Sequence, residues 1–490
     1  MSKECEIEIL DEVNIRVNGL DVVTRRSMSN TLKYFVPHAK HTPSYKLGRW
    51  DGYERFCTIG GGSYFNMLDQ IIPILQKNGY YINIKDNRKS YTFDFHEVNI
   101  ESYTNVLWPK GHNLEGEPIK LREHQVEVIN TFLTNNQAMQ EIATGAGKTI
   151  ITAVLSHKVQ QYGRSIVVVP SKDLVLQTEA DYKNMGLDVG VFFGDRKEPN
   201  HQHIICTWQS IESLYKKGKE EEIQFTIDDL IKDVIAVIVD EAHMTKAKVL
   251  AKHLTTTFKD VPIRWGLTGT IPLEKCDSMY LLCCIGKVVG KLKAKTLQDI
   301  GVLSNLHIDV IQINDFKNVF DTYQSELKYL VTDPQRVTFI SQIIMEIMKQ
   351  GNTLILVDRV KTGEMLEELI PNSVFINGDM DSIARKSEYT DLKTMDDKTI
   401  IATFGVCSTG IDVPRVFNVV LLEAGKSFVR VIQSIGRGLR VAKDKNFVNI
   451  YDITSTAKFA KKHLTKRKKF YEDSEYPFSI SKIDMPTDIK

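Results

Sequence analysis

Ala143-Thr144-Gly145-Ala146-Gly147-Lys148-Thr149 is the stretch that decides the fold. Two closely spaced glycines let a backbone bend tightly and approach a ligand, and a lysine and a threonine follow at once. This is the composition of a loop that cradles phosphates. Successive N–H groups and a helix N-terminus converge on one point, Lys148 brings charge to the β- and γ-phosphates, and Thr149 offers a hydroxyl to Mg²⁺. Thr144, Gly145, Ala146 and Gly147 form the cradle. The full pattern has a glycine five residues before Gly147; Ile142 stands there, so the loop is a variant.

A second element lies 92 residues beyond Lys148. Ala236-Val237-Ile238-Val239 reads as a buried strand and runs into Asp240-Glu241-Ala242-His243. Asp240 suits Mg²⁺ through its water shell, and Glu241 suits a water poised to attack a phosphate. Together the two elements predict a nucleoside triphosphatase. Upstream, Leu121-Arg122-Glu123-His124-Gln125 opens a helix before the phosphate-loop strand. Gln125 there can read the adenine edge, and Arg122 can stack on the ring.

Around these motifs the chain falls into three parts. Residues 1–110 carry short apolar and alternating runs (Cys5 to Val17, Tyr80 to Ile84, Tyr91 to Phe95) that predict strands, and Met67 to Leu75 has helical spacing. Pro109, Gly111, Gly116 and Pro118 mark a linker. Residues 111–295 then alternate apolar strands (165–170, 204–207, 234–240, 263–268) with amphipathic helices. This rhythm predicts a parallel sheet covered on both faces. The run 285–304 reads as a connection, and 296–490 repeats the pattern with strands at 353–358, 374–377, 399–404, 418–423 and 447–454. The predicted class is α/β: two related parallel-sheet domains after a small α/β domain.

The last motif is Gln433-Ser434-Ile435-Gly436-Arg437-Gly438-Leu439-Arg440. On a helix, Arg437 and Arg440 face the same way, and planar guanidinium groups suit phosphate oxygens. Arginines supplied from a second domain couple hydrolysis to domain motion; such a group contributes roughly 10³–10⁵ in rate.

In this order the motifs resemble superfamily 2 helicases of the DEAH-box-like type. Val169-Pro170-Ser171-Lys172 with Gln177, Thr207-Trp208-Gln209-Ser210, Leu267-Thr268-Gly269-Thr270, Ala402-Thr403 and Ser408-Thr409-Gly410-Ile411-Asp412 stand where that group has its conserved motifs. The resemblance covers about 119–455. It implies two RecA-like motor domains, ATP and Mg²⁺ as cofactors, Gly410 and Asp412 near the nucleotide, and Gln433, Arg437 and Arg440 beside Lys148, Asp240 and Glu241 in catalysis. Thr149 and Asp240 would share the metal. A compact α/β domain bearing Gly48-Arg49-Trp50-Asp51-Gly52 ahead of such a motor is similar to the phage UvsW-type helicases. That resemblance implies fork regression, Holliday-junction migration and R-loop or D-loop unwinding in phage replication, recombination and repair. Thr268-Gly269-Thr270 replaces the group's usual Ser-Ala-Thr.

Such motors grip phosphates and sugars without sequence choice. Motif position nominates Ser171, Lys172, Thr207, Gln209, Arg359 and Thr403 for the DNA path. Trp208 suits either a base stack or the core. Residues 25–55 hold seven Lys/Arg against Asp51 and Glu54, a local charge of +5, with Tyr34, Phe35, Tyr45, Trp50 and Tyr53 interleaved. This nominates Arg49 and Trp50 for nucleic acid, or else a solvated basic surface with Trp50 in the core. Seven basic residues in the twelve from Lys458 to Lys469 read as a further DNA contact or a solvated helix face.

Composition narrows the rest. Net charge is +1, so attraction to nucleic acid must come from patches. No apolar run nears the ~20 residues of a membrane span. The acidic opening Met1-Ser2-Lys3-Glu4-Cys5-Glu6 has no apolar signal core, and the seven scattered cysteines, Cys283-Cys284 included, read as reduced packing residues. A cytoplasmic protein, the host cytoplasm for a phage, is expected. A monomer on forked or branched DNA, with RNA–DNA hybrid as a further substrate, is the leading expectation. An RNA helicase, or a non-unwinding motor subunit of a larger complex, stays open.

Overall fold

The computed structural model describes residues 3–110, 114–220, 225–246, 248–272, 274–317, 319–380, 387–388, 391, 395–407, 415–425 and 445–487. The chain divides into two compact units, residues 1–142 with 147–291, and 143–146 with 292–490.

The first unit begins with a four-stranded sheet. In Lys3–Ile9 the alternation puts Cys5, Ile7 and Ile9 inside. This strand pairs antiparallel with Asn14–Asn18 and parallel with Tyr80–Asp86, and Gly62–Tyr64 closes the far edge. A parallel neighbour needs a crossover, which contains the helices Val22–Thr31 and Leu68–Lys77. The second helix follows the expected spacing, burying Ile71 and Leu75. A ribbon of Lys33–Phe35 with Tyr53–Arg55 stands beside the sheet.

This sheet does not close its core alone. Cys276, Met279 and Cys283, from the helix Lys275–Cys284, lie in the same buried cluster as Ile7, Ile15, Met28 and Ile71. Polar contacts seal the seam. Glu12 donates its N–H to the Lys259 carbonyl at 2.9 Å, Gln137 donates to the Glu12 carbonyl at 2.9 Å, and Asn66 donates to Gln137 Oε1 at 2.8 Å.

The alternating run Tyr91 to Phe95 is not a strand. Its three aromatic rings stack in succession, Tyr91 on Phe93 and Phe93 on Phe95, both at 5.7 Å, and the last two meet Tyr162 edge-on. The Tyr162 hydroxyl bonds both the N–H and the carbonyl of Asp94. Ring packing on one side, not a ladder, explains the period of two.

The first motor sheet has eight strands in the order Arg196–Lys197, Val189–Phe193, His203–Thr207, Arg164–Val169, Val234–Asp240, Ile263–Thr268, Gln137–Ile142 and Lys287–Leu292. Its central strands are parallel, and Val234–Asp240 and Ile263–Thr268 are buried along their whole length. Lys287–Leu292 and the helix Ala294–Asp299 occupy much of the run expected as a bare connection.

The second unit holds a seven-stranded, all-parallel sheet in the order Ser373–Ile376, Thr399–Thr403, Thr353–Val357, Asn418–Leu422, Phe447–Ser455, Asn305–Asn314 and Phe478–Asp484. Both larger domains are therefore α/β with mainly parallel sheets of the RecA-like kind, the edge pair Arg196–Lys197 with Val189–Phe193 being antiparallel. Arg336 is fully buried here and bonds Asp315 at 2.6 Å and Glu423 at 2.8 Å. Among the described residues no helix is long and apolar enough to cross a membrane.

Candidate nucleotide site

The strand Gln137–Ile142 leads into the glycine loop, and the helix Lys148–Val159 leaves it. Gly145 and Gly147 have φ of +90° and +85°, a left-handed region closed to most L-residues. At Gly147 the restriction is double, because an added Cβ would stand 2.4 Å from Gln125 Nε2. Gln125 is buried, and its Oε1 accepts the Arg122 N–H at 2.9 Å. The glutamine thus caps the helix Glu123–Leu133 and presses its amide on the loop. Thr144 Oγ1 is buried with no hydrogen-bond partner among the described residues, a polar atom suited to a ligand.

Lys148 is buried, with Nζ 3.5 Å from the Ile142 carbonyl and 3.4 Å from Glu241 Oε1. Glu241 is reached by strained backbone: its φ is +51°. Asp240 Oδ1 accepts the Glu241 N–H at 2.9 Å and supports that turn. The second Glu241 oxygen lies 3.2 Å from His243 Nδ1, which also meets Thr268 Oγ1 at 3.0 Å. This link is absent from any sequence spacing. It arises because the strands ending in Asp240 and Thr268 are register neighbours, which brings their C-terminal ends together.

Other nominated residues stand as follows. Ser171 caps the helix Lys172–Asn184 by accepting the Leu174 N–H, and Lys172 is exposed. Thr207 is buried and bonds the Ser210 hydroxyl at 2.9 Å, while Gln209 is exposed on the next turn. Trp208 packs against the first motor core. Trp50 packs against the N-terminal core and donates to the Tyr53 carbonyl at 3.0 Å; Arg49 beside it is exposed. In the second unit Thr403 ends its strand, and Arg359 starts the helix Val360–Leu369. Arg467, one of the C-terminal basic residues, is buried in a two-pronged pair with Asp452. Gly410, Asp412, Gln433, Arg437 and Arg440 lie outside the described residues.

Two family models match. Residues 118–273 match the type III restriction enzyme res subunit, and residues 335–442 the helicase conserved C-terminal domain. The chain is a superfamily 2 helicase. It is 24% identical over 458 residues to the ATP-dependent DNA helicase uvsW of Enterobacteria phage T4, covering 88% of this chain and 87% of the relative. It is also 24% identical to putative helicase 22 of a Sulfolobus islandicus filamentous virus, over 92% of this chain and 95% of that one. The ATP-dependent type ISP restriction-modification enzyme LlaBIII, solved bound to DNA, shares the fold at a TM-score of 0.58 and 16% identity, over 86% of this chain and 36% of that one. The helicase hydrolyses ATP.

Proposed function

We propose that this helicase is an ATP-driven DNA translocase that remodels branched DNA by regressing forks, migrating Holliday junctions and unwinding R-loops or D-loops. The observation that carries the reading is the connected set Lys148, Glu241, His243 and Thr268. It joins a phosphate-binding lysine to the end of the neighbouring strand, as a motor that converts hydrolysis into movement requires. The near full-length match to a phage DNA helicase supports DNA as the track and phage replication, recombination and repair as the setting.

In this reading Lys148 neutralises the β- and γ-phosphates, Glu241 orients the attacking water, and Arg437 and Arg440, with Gln433, stabilise the transition state. Thr149 and Asp240 would hold Mg²⁺. Arg122, Gln125, Gly410 and Asp412 complete the nucleotide contacts. Ser171, Lys172, Thr207, Gln209, Arg359 and Thr403 line the strand path, and residues 1–110, with Arg49 and Trp50, hold duplex. The protein works as a monomer in the host cytoplasm.

Steady-state ATP hydrolysis tests this directly. The purified chain is assayed alone and with linear duplex, single strand, a fork or Holliday junction, and matched RNA. Strongest stimulation by branched DNA is expected. Equal or stronger stimulation by RNA overturns the DNA assignment, and no stimulation by any of them points to a motor subunit that waits for a partner.

A further inference from the structure

A cleft of about 690 Å³ opens where the N-terminal sheet meets the end of the helix Lys248–Thr255. Its charged lining is Arg16, Arg55 and Lys259 against the single carboxylate of Asp11. Asp11 is spent inward, because its Oδ1 accepts the Val13 N–H, the Asn14 N–H and the Asn14 side-chain amide within 2.9 Å. Arg16 and Lys259 are exposed, and neither has an ion-pair partner among the described residues. Arg55 is held by Asp51. A second recess of about 250 Å³ shares Tyr64 and Thr255 with the cleft and adds Lys248 and Lys252.

A helix C-terminus ordinarily repels anions. Here that end is neutralised from below. The fully buried Arg264 donates to the carbonyls of Leu254 and Phe258, and Asn14 donates to that of Thr255. Arg264 bonds carbonyls only, and the Glu12 and Asp11 carboxylates lie near enough to act on its charge, so it offsets the helix end and leaves the positive field of the cleft to Arg16 and Lys259. On the opposite wall Gly60 and Gly62 present backbone without side chains. Gly61 between them is locked as glycine, since a Cβ would stand 2.2 Å from the Val17 carbonyl.

We propose that this cleft grips the sugar-phosphate backbone of a duplex arm of the substrate, outside the strand path of the motor domains. The inference rests on the reading of the chain as a nucleic-acid motor given above. Exposed cations around a bare glycine wall give grip without base choice, as contacts to phosphates do. They also explain how a chain of net charge +1 concentrates positive potential where a duplex would enter.

The test compares the full-length wild type with Arg16→Glu/Lys259→Glu and with the milder Arg16→Gln/Lys259→Gln. Fluorescence anisotropy measures affinity for a fork with two duplex arms and for an unstructured single strand across a salt series. Single-strand-stimulated ATPase and the thermal midpoint report folding and motor integrity. The charge-reversed pair is expected to bind the fork about tenfold more weakly, with a salt slope smaller by about 2 at roughly 0.9 per phosphate contact. The glutamine pair is expected to fall between, and single-strand affinity and ATPase to stay within about twofold in both. Unchanged fork affinity and slope overturn the proposal, as does an equal loss on fork and single strand. Equilibrium dialysis showing a second ATP bound by wild type and lost in the variants assigns the cleft to a small phosphate ligand and overturns it too. A wild type that hydrolyses ATP yet binds no nucleic acid removes the motor reading itself, and the cleft proposal with it.

Discussion

His243 Nδ1 stands 3.0 Å from Thr268 Oγ1, across the C-terminal ends of two neighbouring strands. The Thr268 hydroxyl has one hydrogen, which it donates to the Thr270 carbonyl at 3.0 Å. With that hydrogen on the Thr270 carbonyl, its oxygen accepts from the Nδ1–H tautomer of the imidazole. Glu241 Oε2 lies 3.2 Å from the same nitrogen, as a charge neighbour and not a hydrogen-bond partner. The Glu241 carboxylate therefore acts on the imidazole by charge, and the imidazole meets the end of the neighbouring strand. Thr268→Val keeps the branched shape and removes the acceptor. ATP hydrolysis should stay within about threefold, while strand displacement per ATP should fall about tenfold or more, since one such bond is worth roughly 1 kcal/mol or more. Parallel ATPase and unwinding assays decide it; equal losses in both would show that the contact serves hydrolysis alone.

Lys148 and Glu241 make a pair of variants with a shared outcome and different causes. Lys148→Ala removes the phosphate charge, and kcat should fall by about 10²–10³. Glu241→Gln keeps shape and burial but loses the anion, and should bind ATP while hydrolysing it at a similarly reduced rate, about 10²-fold or more below wild type. Binding to single-stranded DNA should survive in both. Full unwinding by Lys148→Ala would remove the nucleotide site from the mechanism.

Gly147→Ala meets two obstacles at once, a φ of +85° and the Gln125 amide 2.4 Å from the new methyl. The left-handed conformation alone costs about 1–2 kcal/mol for an L-residue. Nucleotide affinity should fall about tenfold or more, read by fluorescent-nucleotide titration. Adding Gln125→Ala relieves the contact but not the backbone, so recovery should be partial.

Acid should loosen the layer beneath this helix. His203 is buried and bonds Ser165 at 2.8 Å, within a chain that runs through Ser156 to Tyr182. Burial holds its pKa down to about 4 from the ordinary 6.5. Between those values the unfolded chain binds the extra proton and the folded one does not. Stability from this group is therefore complete above pH 6.5 and is lost as pH falls through 4. Denaturant midpoints measured from pH 7.5 to 4 should decline, and His203→Asn should flatten the slope over that window.

Much of the motor was legible because chemistry restricts it. Gly-x-Gly-Lys-Thr admits few substitutes where backbone must approach phosphate, and Val234–Asp240 reads as strand because a sheet buried on both faces leaves an unbroken apolar run. The strand Gln137–Ile142 gave no such signal: Gln140 is buried, satisfied by donating to the Val128 carbonyl at 2.7 Å. Tyr91 to Phe95 misled in the other direction, since alternation reports one-sided burial and not ladder pairing. Gln125 reads as an adenine contact from sequence, yet its oxygen also caps its own helix. Nor does anything local to Cys276, Met279 and Cys283 say that the partner surface begins at residue 5.

That last contact has a consequence during synthesis. The strands Lys3–Ile9 and Tyr80–Asp86 leave the ribosome long before the helix Lys275–Cys284 that completes their core. At roughly 5–20 residues per second, the roughly 200 intervening residues take about 10–40 s. For that interval the nascent N-terminal sheet carries an uncovered apolar face, a waiting surface for chaperones, and a stalled or truncated transcript would yield a fragment prone to aggregate.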